Sequence, residues 1–206
     1  SGIMPNESEK RLSSHLKSRL EVESVLRSRS VKVTVLRAGI IFGPGGSSFS
    51  ILINLVRRLP MMVFPAWTHS MTQSIDINDV CRAFRLCFES APYKGGTFDL
   101  SGHKPMSYKQ LVKLVAEKLG RKFISISIPF NFFFISKHWL SILGGVPLAL
   151  AEPLQKSLIH DLRFEPNPLS EALKDGLTSF DRSFDLSVYE DGSPKPNPRS
   201  KTQKED

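Results

Sequence analysis

In the stretch SSHLKSRLEVE, a histidine at 15 precedes an arginine at 19 by four residues. On a helix that spacing places His15 and Arg19 on one face, a turn apart. An imidazole exchanges protons near neutral pH, whereas a guanidinium keeps its charge and offers a rigid fork of donors. The neighbouring cation pushes the imidazole toward its neutral form, which suits a base better than an acid. Three readings of this face stay open: proton transfer, ligand holding without chemistry, and plain surface or cofactor-facing residues.

The elements that would position this pair alternate along the chain. Residues 12 to 29 are expected to be a helix with Ser13 or Ser14 as N-cap, and VKVTVLRAGII from Val31 a buried strand. FGPGG at 42 to 46 reads as a loop, residues 48 to 59 as a helix stopped by Pro60, and SIDI at 74 to 77 as a short strand. A helix over 78 to 89 carries Val80, Ala83, Phe84, Cys87 and Phe88 on one stripe, which is expected to be core, with Asn78 and Asp79 capping its start. TFDL at 97 to 100 is the next strand. A helix then opens at Ser107 with Gln110 three residues on, a capping box, and ends at Gly120. The strand ISIS and a buried helix follow.

Composition limits what these elements can do. The 206 residues suit one domain, with 40% hydrophobic and 23% charged positions. The formal charge of +8 comes from cations spread singly, without a dense basic block interleaved with aromatics, so a solvated basic surface is expected and no nucleic-acid partner. Cys81 and Cys87 are too few for a disulfide framework and lack metal-ligand spacing, so reduced thiols, no metal and an intracellular, cytoplasmic setting are expected. No signal-peptide pattern stands at the start. The most apolar region, Phe123 to Leu150, is interrupted by Lys137 and His138 and punctuated by Pro129 and Pro147, which falls short of a membrane span. A surface-lying anchor within it is the alternative to a strand and buried helix. Residues 181 to 206 are polar and proline-containing, and a disordered tail is expected there.

Alternating strands and helices argue for an α/β fold with a largely parallel sheet. A dinucleotide-binding domain should open with a strand, a glycine-rich turn and a helix whose amides hold a pyrophosphate. No GxGxxG occurs here, and GPGG has the wrong spacing and a proline that removes one donor.

HLKSRLEVE, VTVLRAGIIFGPGG, QSIDINDVCRAF and TFDLSGHKPMSYKQLVKLVAEKLGRK, in that order and spacing, resemble the C-terminal half of an extended or atypical short-chain dehydrogenase/reductase. The likeness runs from residue 1 to about 180 and is closest to the NmrA-like regulators and the dehydrogenase-like accessory subunit of respiratory complex I. The resemblance implies an incomplete Rossmann-like sheet of C-terminal strands and helices with a small substrate-side subdomain, and a missing N-terminal half that held the pyrophosphate.

In that family a YxxxK helix performs proton transfer. Ser18 and Glu23 keep its flanking pattern, which aligns His15 with the tyrosine and Arg19 with the lysine that also binds the nicotinamide ribose. Ser1 would lie near a substrate-binding serine. Ala38, Gly39 and Ile40 would meet the nicotinamide carboxamide, small residues at 38 and 39 letting the ring approach; tight packing at a strand end explains the glycine equally well. Gly43 and Pro44 would help floor a substrate pocket. Ile40 replaces an asparagine and Thr72 an arginine found in sugar-nucleotide relatives, which argues against a nucleotide-sugar substrate. The implied cofactor is NAD or NADP, bound weakly or not at all by this stretch alone. The implied activity is reductase- or epimerase-like on an unidentified small molecule. A non-catalytic dinucleotide sensor or assembly protein is the first alternative, and a peripheral membrane module the second.

Overall fold

Gly39 divides the apolar run after Val31 into two strands with different neighbours. The computed structural model describes residues 1–6, 8–130 and 157–196. In chain order its elements are α1 (Ser14–Arg27), β1 (Val35–Ala38), β2 (Ile40–Phe42), α2 (Ser47–Arg58), β3 (Met61–Phe64), β4 (Met71–Thr72), β5 (Ser74–Asp76), α3 (Ile77–Glu89), β6 (Thr97–Leu100), β7 (Met106–Ser107), α4 (Tyr108–Lys118), β8 (Ile124–Ser127), α5 (Pro168–Leu173) and α6 (Phe180–Ser187).

Strand pairing is mostly parallel. β1 lies beside β6, β2 beside β5 and β3 beside β8 in parallel, whereas β4 and β7 are antiparallel. Residues 1–3 run parallel along the other edge of β1, with Ala38 N donating to Ser1 O at 3.0 Å and Ile3 N to Ala38 O at 3.2 Å. Parallel neighbours require crossovers. Helix α1 supplies the one from residues 1–3 to β1, and α2 lies in the one from β2 to β5. This is an α/β arrangement, as the alternation of elements predicts, and a partial Rossmann-like one, as the resemblance implies.

Two apolar clusters hold it. Phe42, Phe49, Ile53, Met62, Phe64, Leu111 and Val115 fill the space between α2, α4 and β3. Leu36, Ile75, Val80, Ala83, Leu100, Leu169 and Leu173 fill the space between the β1–β6 pair, α3 and α5. The caps expected from sequence are present at two helices: Ser13 Oγ accepts from Leu16 N at the start of α1, and Ser107 and Gln110 form the reciprocal box on α4.

Four expectations are corrected. The strand from Val31 begins only at Val35, because its partner begins there: Val35 N donates to Gly96 O at 2.9 Å, and Val31 has no strand beside it and is 72% exposed. On α3, Val80 and Ala83 are buried and Cys87 packs against the same cluster, but Phe84 and Phe88 are 51% and 79% exposed. The apolar arc of that helix is wider than the surface beneath it. Its cap is Asp76, which accepts from Asn78 N, rather than Asn78 or Asp79. Asp79 is buried and accepts from Arg82 Nη1 at 3.1 Å and Thr178 N at 2.9 Å, tying α3 to the link before α6.

The fourth concerns the polar tail. Residues 180 to 187 form α6, capped by Ser179, and Phe184 and Val188 enter the first cluster while Phe180 packs against it. Four-residue spacing of three apolar residues outweighs the polar composition around them. The chain then turns at Gly192, whose φ of +74° favours glycine, and returns so that Lys195 N donates to Ser187 O at 2.8 Å. The strand ISIS is present as β8 with all four residues exposed; the helix or surface anchor expected after it lies outside the described residues. Among the described residues no helix is long and apolar enough to cross a membrane.

Candidate functional site

A cavity of about 800 Å³ opens at the carboxyl ends of β2 and β5. Ligands of open α/β folds bind in such crevices, where strands end and loops diverge. Its floor is the segment Gly39 to Gly46 without Ile40, one wall is Ile77 and Asn78 just past β5, and Leu186 of α6 closes the far side. Parallel pairing of Phe42 with Asp76 brings the two strand ends level and so aligns their following loops.

Glycines shape this floor for steric reasons. A Cβ on Gly39 would lie 2.1 Å from Gln73 O, inside the polypeptide, and one on Gly43 would lie 2.5 Å from Ile77 Cγ2. Gly45 has φ +75°, and its amide donates to Lys195 O at 2.8 Å. The packing explanation for Gly39 is therefore sufficient by itself, although its other side faces the cavity.

The residues expected from sequence to share a site fall into two groups. Gly39, Gly43 and Pro44 line the cavity. Ser1, His15, Arg19, Ala38 and Ile40 are not among its lining residues. Ile40 packs against the first apolar cluster. Ser1 lies on the edge of β1 opposite Ala38, and Arg19 is close enough to act electrostatically on its amino group. His15 is part-buried on α1 and Arg19 exposed. Burial first, and the Arg19 charge second, hold the His15 imidazole below its ordinary range, as the spacing suggested. The expected consequence is that Arg19→Gln raises the His15 pKa, while burial keeps it below the ordinary value; proton NMR titration of the ring would read this.

Beside this face lies an ion pair that anchors α1 to β1. Glu23 is 6% exposed and accepts from Arg37 Nε at 3.1 Å and Arg37 Nη2 at 2.6 Å. Burial works to raise the Glu23 pKa, and the Arg37 hydrogen bonds overcome it and leave the carboxyl below its usual range. Glu23 thus orients the helix that carries His15 and Arg19.

Sequence reasoning missed several residues. Ile77, Asn78 and Leu186 complete the cavity, the first two legible only as the residues that follow a strand's carboxyl end. His103 is buried with Nδ1 at 2.8 Å from Ser74 Oγ and Nε2 at 3.3 Å from Ser183 Oγ, and its ring lies against Phe42 and Phe180. Burial lowers its pKa. A single histidine in SGHKP gives no sequence signal of that burial. Thr72 is 1% exposed and offers nothing to a substrate diphosphate. A second cavity, of about 690 Å³, sits at the C-terminal ends of α2 and α4, away from the strand ends, and Arg57, Arg58, Arg121, Asp185, Glu190 and Asp191 help line it. Among the described residues no group of three or more His, Cys, Asp or Glu side chains could hold a metal.

No protein-family model matches the chain, and no curated protein matches it. Solved structures do. A triphenylmethane reductase from Citrobacter sp. is 18% identical, over 89% of this chain and 61% of its own, with a TM-score of 0.64. An NADPH-dependent quinone oxidoreductase from Escherichia coli, solved with NADPH, is 20% identical over 81% of this chain and 57% of its own, with a TM-score of 0.61. A nucleoside-diphosphate-sugar epimerase from Staphylococcus aureus is 14% identical over 86% of this chain and 60% of its own, also with a TM-score of 0.61. The chain spans about six tenths of the length of these structures. Identities this low speak for the fold alone, which is the Rossmann-type fold of reductases and epimerases, present here in part.

Proposed function

We propose that the chain is the substrate-side part of an NAD(P)-binding short-chain-dehydrogenase-like protein, with a reductase- or epimerase-like role toward a small molecule. The observation that carries this is the cavity at the carboxyl ends of the parallel β2–β5 pair, floored by backbone that approaches closely because its glycines carry no side chain. In such a protein the cofactor supplies the hydride and the polypeptide supplies binding, orientation and exclusion of water. The lining of Gly39, Ile41, Phe42, Pro44, Ile77 and Leu186 suits an uncharged, partly apolar substrate. Burial of Thr72 gives no support to a nucleotide-sugar.

A second reading is favoured by one observation. His15 and Arg19 do not line the cavity, which leaves proton transfer from that face to a substrate held there without support. Dinucleotide sensing or assembly without redox chemistry is the reading that this favours.

The whole protein containing this sequence should quench or enhance NADH or NADPH fluorescence on titration, whereas the 206-residue stretch alone should bind weakly. Turnover of a carbonyl substrate that is lost in His15→Ala supports catalysis through that ring. Cofactor binding without turnover supports the sensor. No binding of either dinucleotide by the whole protein overturns both.

A further inference from the structure

The buried histidine at 103 joins two elements that the cavity needs. Its Nδ1 lies 2.8 Å from Ser74 Oγ on β5, and its Nε2 lies 3.3 Å from Ser183 Oγ on α6. Phe42 of β2 and Phe180 of α6 hold the ring, at centroid distances of 5.4 and 5.5 Å. The imidazole therefore pins the strand pair under the cavity to the helix whose Leu186 closes the far side. The chain after α6 adds a second hold: Gly45 N, on the cavity floor, donates to Lys195 O at 2.8 Å, and Lys195 N donates to Ser187 O at 2.8 Å. A helix of eight residues is too short to persist alone, so α6 keeps its form only while docked.

A pin of this kind depends on protonation. The neutral ring offers one donor and one acceptor, which two hydroxyls satisfy. An imidazolium in the same place loses its hydration, and this burial is the largest influence on the group, holding its pKa below the ordinary 6.5. Opposing it are the Thr178 main chain and the carboxylates of Asp76, at the end of β5, and Asp79, on α3. They are outweighed. Both ring nitrogens lie against hydroxyls, and Asp76 Oδ2 has no hydrogen-bond partner among the described residues. From the other elements β2 presents Phe42 and α6 presents Phe180 and Ser183, while Asp181, Arg182 and Asp185 of α6 and Lys104 beside the ring are exposed. Undocking of α6 returns the ring to water, where it takes up a proton in its ordinary range. Falling pH therefore favours the undocked state.

We propose that α6 and the return segment to Lys195 form a gate on the cavity, pinned by the neutral His103 ring and released as that ring is protonated. The opening is a property of the polypeptide; only its use, admitting or releasing a ligand in acid, rests on the cavity being the substrate site proposed above. Amide hydrogen exchange of the whole protein, corrected for the intrinsic rate at each pH, tests it without any ligand. Protection of the α6 amides and of Gly45 should fall together, by up to about fivefold from pH 6.5 to about pH 5.5, the limit for uptake of one proton. The amides of α4 should stay better protected than either throughout. His103→Gln, which keeps a donor and an acceptor but takes up no proton in this range, should flatten the change. Should that variant fail to fold, the parent's own ring decides, because its proton NMR resonances must report protonation over the interval in which α6 opens. Protection of α6 that does not change with pH overturns the proposal. So does a fall that persists in His103→Gln, a ring that stays neutral while α6 opens, or protection of α6 equal to that of α4 at every pH, which would mean that the helix leaves only when the whole domain unfolds. Dinucleotide binding is a separate measurement, and its absence would remove the substrate reading while leaving the gate in place.

Discussion

Gly39→Ala should lower the folding free energy by about 3 kcal/mol, at the upper end of the cost of overpacking. The reason is geometric. The new Cβ would stand 2.1 Å from Gln73 O, and that obstacle is main chain between β4 and β5, not the end of a mobile side chain. Relief requires β2 and β5 to separate, which breaks the pairing of Ile40 with Ser74 and disturbs the cavity floor together. Urea unfolding should show a lower midpoint with little change in slope. The dinucleotide binding proposed above should fall with the folded fraction. A variant as stable as the parent that loses only nicotinamide binding would show that the glycine serves the ligand instead of the packing.

Glu23→Gln should cost about 2 kcal/mol. Breaking a buried ion pair costs roughly 3–5 kcal/mol because the remaining charge is left without its partner, and the Arg37 side chain, 21% exposed, recovers part of that in water. The pH dependence gives an independent check. The folded carboxyl has a pKa below its ordinary value of 4.5, so its stabilisation is complete above that value and disappears as pH falls through the lower, folded one. His15 and His103 act earlier on the same scale. Both have folded pKa values below the ordinary 6.5, so the folded state resists protonation and stability declines as pH drops from about 6.5 downward. Acid titration of stability should therefore show two losses in the parent, and only the upper one in Glu23→Gln. If the variant retains the lower loss in full, the Glu23 carboxyl is not its source.

These two sites also mark how far the sequence reaches. Ser13 and the Ser107–Gln110 box were legible because a cap is completed by amides two or three residues away. The same locality made the His15–Arg19 coupling legible, since a helix turn brings the two together whatever else the chain does. Phe84 and Phe88 were misjudged because periodicity tells which residues share an arc, not how much of that arc the neighbouring layer covers. The order in residues 181 to 196 is not legible, because polar composition masks the three apolar positions that α6 and its extension place in the first cluster; residues 197–206 of the expected tail lie outside the described residues.

By itself the sequence determined the order of α1 to α4 among the longer strands, the caps of α1 and α4, the α/β class and the electrostatics within one helix turn. All of these depend on interactions between residues a few positions apart. Tertiary structure alone decided that Gln73 stands behind Gly39, that Leu186 closes the cavity, and that His15 and Arg19 are absent from its lining. Those facts depend on which distant segments meet, and short-range pattern carries no record of the partner.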